Sequence, residues 1–377
     1  MSTIKYPIGI QNFRDLRRNG YIYVDKTEYV WRLATTGKYY FLSRPRRFGK
    51  SLLVSTLEAY FRGWRELFDG LAISRLETSW DSYPIFHLDL SGENYKDART
   101  LYQGLDFFLS EIDREFGIDT TGDLTPALRF KSAIRKVAEQ TGKPVVILID
   151  EYDTPLTQTI HNPELQEELR AILKGFYGVL KPMDGHIRFA MLTGVTRFSK
   201  VSIFSDLNNL RDISFLPDYN AVCGISESEI KAYFTPSVRS FAEARGLEVT
   251  ELFERLRINY DGYHFSSPER TEGIYNPFSV LNALISQSID DYWFETGTPT
   301  YLVSLLKDRH YNLSLLNDIQ ISTDELSGLD IAMSNPIPLM YQSGYLTIKK
   351  HIPDFDLYVL GFPNQEVKKA FTKFQNH

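Results

Sequence analysis

The sequence predicts an α/β fold: a parallel β-sheet with helices on both faces. Three observations carry the prediction. Pro144-Val145-Val146-Ile147-Leu148-Ile149 is an unbroken apolar run that ends in Asp150-Glu151. Such a run fits a central strand buried on both faces of a parallel sheet. Apolar runs alternate with helical patterns from residue 38 to about 193, the order that βαβ units require. A strand-like Lys38–Ser43 also leads through a basic loop, Arg44–Ser51, into a helical stripe of Leu53, Val54, Leu57, Tyr60 and Phe61.

Composition bounds the rest. Of 377 residues, 43% are hydrophobic, 24% charged and 14% aromatic, which is ample material for large cores. With 23 Gly and 17 Pro, disorder of the whole chain, collagen and mucin-like stalks are excluded. The net charge of −6 gives no support to a nucleic-acid coat protein. A single cysteine, Cys223, forms no internal disulfide and suits a reducing compartment. No run approaches the apolar length of a membrane span, and Met1–Pro7 lacks the core of a secretion signal. The expected location is the cytoplasm, with no membrane partner.

Taken in order, Ile85–Leu90 reads as a second strand, followed by helices over Leu101–Phe116 and Pro126–Gln140. The apolar run to Ile149 is the third strand. A helix over Pro163–Leu180 and a strand over Ile187–Thr193 follow. Beyond residue 222 the texture changes. Ser226-Glu227-Ser228-Glu229 is a capping box that opens a mainly helical stretch. Near the end, Leu339–Ile348 and Leu357–Leu360 read as a small β-wing, and Gln365–Phe374 as an amphipathic helix. The expected domains are a core over 1–222, a helical lid over 223–310 and a winged-helix-like region over 311–377.

Gly49-Lys50-Ser51 at a strand-to-helix junction carries the strongest chemistry. Phosphate binding needs backbone N–H groups aimed into a loop, with a helix N-terminus behind them. Lys50 would reach the β and γ phosphates, Ser51 would place its hydroxyl on Mg²⁺, and Gly49 would let the backbone approach closely. The loop as a whole, Arg44, Pro45, Arg46, Arg47, Phe48, Gly49, Lys50, Ser51 and Leu52, is the candidate cofactor-binding segment. It departs from Walker A, because Arg44 stands where the first glycine belongs. The bland alternative is a basic turn capping an ordinary helix.

A Walker B strand needs an acid at its carboxyl end. Asp150 would hold Mg²⁺ and Glu151 would polarise the attacking water. The alternative is a strand that merely ends in solvated acids. Thr193 ends the next strand, where additional-strand ATPases place a polar residue against the γ-phosphate or the lytic water. Arg197 could sense nucleotide, or pair with Asp150 or Asp153; the alternative is a cap and a surface arginine. His87 and His264 read as core or surface histidines rather than ligands, and Tyr29, Trp31, Tyr39 and Tyr40 as packing rings. Ile8, Phe13 and Tyr23 could wall an adenine, and Arg211 could complete a neighbouring subunit's site.

Tyr23–Thr27, Arg44–Ser51, Asp150-Glu151-Tyr152-Asp153-Thr154-Pro155-Leu156 and Thr193–Lys200 together resemble the AAA-ATPase-like family of bacterial proteins. Asn276-Pro277-Phe278-Ser279 and Phe362–Val367 fit the same family. The resemblance implies a P-loop NTPase of the additional-strand type, AAA/STAND-like, that binds ATP. It also implies that the family tolerates Arg at the first Walker position. Family members usually carry a PD-(D/E)XK nuclease domain after the ATPase. Pro353-Asp354 with Glu366-Val367-Lys368 imitates that signature, but Glu366 sits in a helical pattern and few residues follow. The expectation is an ATPase module, with slow hydrolysis acting as a switch, truncated before its nuclease effector. Two rivals are a non-hydrolysing nucleotide scaffold and a DNA-associated regulatory module.

Overall fold

A computed structural model describes residues 4–122, 125–197, 207, 209–293, 316, 318–327 and 335–375. In chain order come α1 (Phe13–Arg18), α2 (Thr27–Thr36), β1 (Tyr39–Ser43), α3 (Lys50–Phe61), β2 (Ile85–Asp89), α4 (Ala98–Phe116) and α5 (Pro126–Thr141). Then follow β3 (Val145–Asp150), α6 (Thr154–Gln158), α7 (Pro163–Gly178), β4 (Ile187–Gly194) and β5 (Arg211–Asp212). The remainder holds β6 (Ile225–Ser226), α8 (Glu227–Tyr233), α9 (Thr235–Arg245), α10 (Val249–Tyr260), β7 (Ile274–Tyr275) and α11 (Pro277–Ser286). It closes with β8 (Ile319–Ser322), β9 (Thr347–Ile352), β10 (Leu357–Gly361) and a helix over Gln365–Gln375. The chain divides into two units. One comprises Thr27–Ser43 and Val54–Ile213; the other comprises Met1–Lys26, Arg44–Leu53 and Ser214–His377.

The first unit is the parallel sheet. Its strand order is β2-β3-β4-β1-β5, and every pairing is parallel. All residues of β1 and β3 are buried, as their unbroken apolar runs require. β4 lies between β3 and β1, the additional-strand arrangement of P-loop NTPases. Register aligns Asp89 with Asp150, Ile149 with Leu192, and Leu42 with Thr193. The carboxyl ends of β1 to β4 therefore share one edge. Helices α4, α5 and α7 cover one another with aromatic contacts, including Phe130 stacked on Phe176 at 4.4 Å. Burying each such ring contributes about 2–3 kcal/mol. Asp97, Thr125 and Asn162 cap these helices, with proline in the first turn of α5 and α7.

The second unit centres on α8 to α11. Ile230, Phe234, Val238, Phe241, Leu252, Leu256 and Val280 form its core, and Tyr6, Ile8, Ile22 and Val24 pack onto it. The capping box Ser226–Glu229 is present, and Glu229 also takes the Lys26 ammonium at 2.5 Å. β6 pairs with β7, and β8, β10 and β9 form an antiparallel sheet in that order. Here the sequence reading needs correction. Ile337–Gln342 is a helix with Pro338 in its first turn, so the expected strand at Leu339 begins only at Thr347. The described residues of 223–310 and 311–377 both belong to this unit, as does Arg44–Leu53. Residues 294–310 of the expected lid, and Phe198-Ser199-Lys200, lie outside the described residues.

Candidate functional site

The loop that follows β1 is held residue by residue within its own unit. Arg44 is 1% exposed and turns inward. Its guanidinium donates to the Ser214 and Tyr219 carbonyls, each at 2.9 Å, and stands 4.1 Å from the Phe265 ring centroid. The Arg44 side chain is thus a strut, recognised by two fixed carbonyls and an aromatic face. Pro45 is buried against Gly344, where an added Cβ would lie 2.9 Å from the proline ring. The Arg46 carbonyl accepts the Trp293 indole N–H at 3.2 Å. The Arg47 guanidinium lies 5.1 Å from the Phe278 ring. Phe48 packs edge-on against Tyr263 and Phe265, at 4.9 and 5.5 Å.

Arg46, Arg47 and Gly49 are exposed, whereas Lys50 is buried. Gly49 has φ of 93°, a region side chains avoid, and nothing lies within 4 Å of an added Cβ. Its requirement is thus conformational rather than steric. Arg47 also sits at positive φ, 68°. The Lys50 Nζ donates to the Arg44 and Pro45 carbonyls at 3.1 and 3.3 Å, across the mouth of the loop. Ser51 and Leu52 are half-buried in the first turn of α3.

The acidic strand end belongs to the sheet unit. Asp150 is 2% exposed, and its Oδ1 accepts the Thr193 hydroxyl and the Glu151 amide. Glu151 stands at φ of 53°. A non-glycine residue enters that region at a cost of about 1 kcal/mol, and such strain concentrates at functional sites. Asp153 stitches the strand ends together. It accepts the Val195 amide at 3.2 Å and the Thr196 amide at 2.7 Å. Tyr152 is fully buried and donates to the Thr196 carbonyl at 2.8 Å. Gly194 fits only because it has no side chain: a Cβ would meet Asp153 Oδ1 at 2.4 Å and the Tyr152 ring at 2.6 Å.

Other candidates fall elsewhere. Arg197 pairs with Asp212 of β5, a partner that the sequence reading did not offer. Arg211 is exposed on the same short strand. Phe13 is buried against Tyr23 at 5.1 Å, and Ile8 packs on the helical core, so these three serve packing. His87 bonds Glu58 at 2.8 Å. Burial lowers its imidazole pKa, but the Glu58 bond and the charges of Glu58, Asp150 and Asp89 outweigh it and hold it above its ordinary value. Asp354 is exposed in the β9–β10 turn, while Glu366 is fully buried. Glu366 accepts the Ser279 hydroxyl and the Tyr292 and Trp293 amides. The nuclease-like signature is therefore a decoy, because its glutamate is consumed by internal hydrogen bonds.

Sequence reasoning missed Trp293, the role of Phe265 under Arg44, and Asp212. Asn276–Ser279 was visible as a motif, but no spacing ties it to a loop more than 200 residues earlier. Among the described residues no group of three or more His, Cys, Asp or Glu could hold a metal. Mg²⁺ needs none, since it keeps waters and takes one or two protein oxygens plus phosphates. Among the described residues no helix is long and apolar enough to cross a membrane.

A protein of Azotobacter chroococcum mcd 1, described as an uncharacterized protein in the vnfD 5′ region, is 40% identical over 379 residues, covering 99% of this chain and 70% of that protein. The Aeropyrum pernix ORC2 protein in its ADPNP–ADP complexes aligns over 93% of each chain at 12% identity, with a TM-score of 0.32. The Aeropyrum pernix ORC1 protein in complex with DNA aligns over 92% of this chain and 90% of that one, at 13% identity and a TM-score of 0.28. Neither superposition is close enough to carry an argument. The family model described as Predicted AAA-ATPase matches residues 7–204. With that match over more than half the chain and the Azotobacter relative over nearly all of it, the chain belongs to the Predicted AAA-ATPase family of nucleotide-binding P-loop ATPases.

Proposed function

We propose that the chain binds Mg·ATP, hydrolyses it slowly, and uses the nucleotide state as a switch for a C-terminal effector. One observation carries the reading. In a single sheet, Thr193 of β4 grips the Asp150 carboxylate of β3, and β4 separates β3 from β1, the strand that feeds Arg44–Ser51. Additional-strand ATPases need that order.

In this reading the amides of 45–50 and the Lys50 ammonium bind the β and γ phosphates, which calls for Lys50 to leave the Arg44 and Pro45 carbonyls. The Ser51 hydroxyl and the Asp150 carboxylate are the candidate protein oxygens that would serve a cation. The Thr193 hydroxyl bond fixes the orientation of the Asp150 carboxylate. Glu151 would be the base that polarises the attacking water and accepts its proton. Arg46 and Arg47 are exposed and offset charge on the phosphate tail. Arg197, held by Asp212, would sense the nucleotide state only by exchanging partners. When bound, the cation supplies positive charge to the phosphate oxygens. The Azotobacter relative is longer than the matched region, which is room for an effector in that protein.

The test is a thermal-shift series with Mg·ATP, Mg·GTP and ADP, extended to phosphate release. Stabilisation by Mg·ATP with slow release supports the reading. Stabilisation with no release favours a scaffold, and no shift with any nucleotide sinks both.

A further inference from the structure

Glu366 lies at the start of the helix Gln365–Gln375 and is fully buried. It accepts the backbone amides of Tyr292 and Trp293 at 2.6 and 2.8 Å, and the Ser279 hydroxyl at 3.0 and 2.8 Å on its two oxygens. A buried carboxylate is costly, and an apolar residue of like volume would serve folding as well. A fully satisfied polar cluster instead specifies one arrangement. Two arms lead from this cluster to the phosphate loop. The Trp293 indole, itself fully buried beside Tyr345 at 5.2 Å, donates to the Arg46 carbonyl. Ser279 directly follows Phe278, the ring beneath the Arg47 guanidinium. The two exposed arginines of the loop are thus both referred to a single carboxylate, more than 300 residues away in sequence.

We propose that Glu366, Trp293 and Phe278 form a relay that sets the Arg46–Arg47 segment and reports its occupancy to the helix Gln365–Gln375. All three are positioning residues: they act through the loop. The proposal rests on the nucleotide reading above. Coupling is reciprocal, so a strap that favours the nucleotide-competent loop is itself stabilised by nucleotide to the same degree. The relay gives the switch an exit in this chain's own residues, at the C-terminal helix.

The test is hydrogen exchange on the full chain, with and without saturating Mg·ATP, alongside binding. In wild type, Mg·ATP slows exchange in the loop 44–52, around 292–293 and over 365–375, the last by about tenfold. Trp293→Phe keeps a ring in the core but deletes the N–H. It is expected to bind Mg·ATP about five- to tenfold more weakly and, at saturation, to protect the loop without protecting 365–375. Phe278→Leu leaves the buried carboxylate cluster intact, guards against a folding defect in the first variant, and is expected to give a partial loss of the same signal. Wild type that protects the loop but not 365–375 overturns the relay alone, as does Trp293→Phe that retains full protection there. Wild type with no protection even in the loop overturns the nucleotide reading and the relay together.

Discussion

The Arg44 guanidinium lies 4.1 Å from the Phe265 ring centroid and donates to two backbone carbonyls, so this loop arginine is part of its unit's core. Restoring the consensus glycine there removes a strut. Arg44→Gly and Arg44→Ala are expected to lower unfolding free energy by about 3 kcal/mol, since two carbonyls lose a charged donor. Arg44→Lys recovers only part, because one ammonium cannot span both carbonyls. Denaturant melts check this; a glycine variant as stable as wild type refutes it.

If the proposed nucleotide reading holds, substitutions at Lys50 and Glu151 separate binding from chemistry. Lys50→Ala is expected to weaken Mg·ATP binding by about tenfold to a hundredfold, the worth of a charge-assisted contact. Glu151→Gln should bind as wild type does and release phosphate about a hundredfold more slowly. Binding calorimetry and a phosphate-release assay read both. Unchanged turnover in Glu151→Gln removes that residue from the mechanism.

Gly194 tests the close approach at the sheet edge. Gly194→Ala forces a methyl group into Asp153 Oδ1 and the Tyr152 ring, both part of the stitching between strand ends. The expected loss is about 3 kcal/mol, because both obstacles are themselves fixed by hydrogen bonds. Thermal melts suffice, and a neutral outcome means that the loop after β4 shifts freely.

Glu366 makes a pH prediction. Burial pushes its carboxyl up to about 7, against the pull of the Trp293, Ser279 and Tyr292 hydrogen bonds. The folded state then binds more protons than the unfolded state between about pH 4.5 and 7. Its contribution to stability is therefore full below that window and declines as pH rises through it. Glu366→Gln has no such slope. The stability of wild type minus that of Glu366→Gln, measured from pH 4.5 to 7.5, should fall and then level; a flat difference contradicts the assignment.

The sheet was legible in the sequence because burial on both faces writes itself as an unbroken apolar run. Val145–Ile149 and its terminal acids, the alternation with helices and the Gly49-Lys50-Ser51 junction are local patterns, and the strand order agrees with them. β5, two residues long, left no periodicity to read, and Leu339–Gln342 carries apolar residues that suit helix and strand alike. The partners of the loop over residues 44–52 were decided only by tertiary structure. Phe265, Phe278, Trp293 and Glu366 are ordinary core residues by composition. Their meaning comes from which carbonyl, ring or amide they meet, and contacts across 200 or more residues follow from the folded path of the chain rather than from any local spacing.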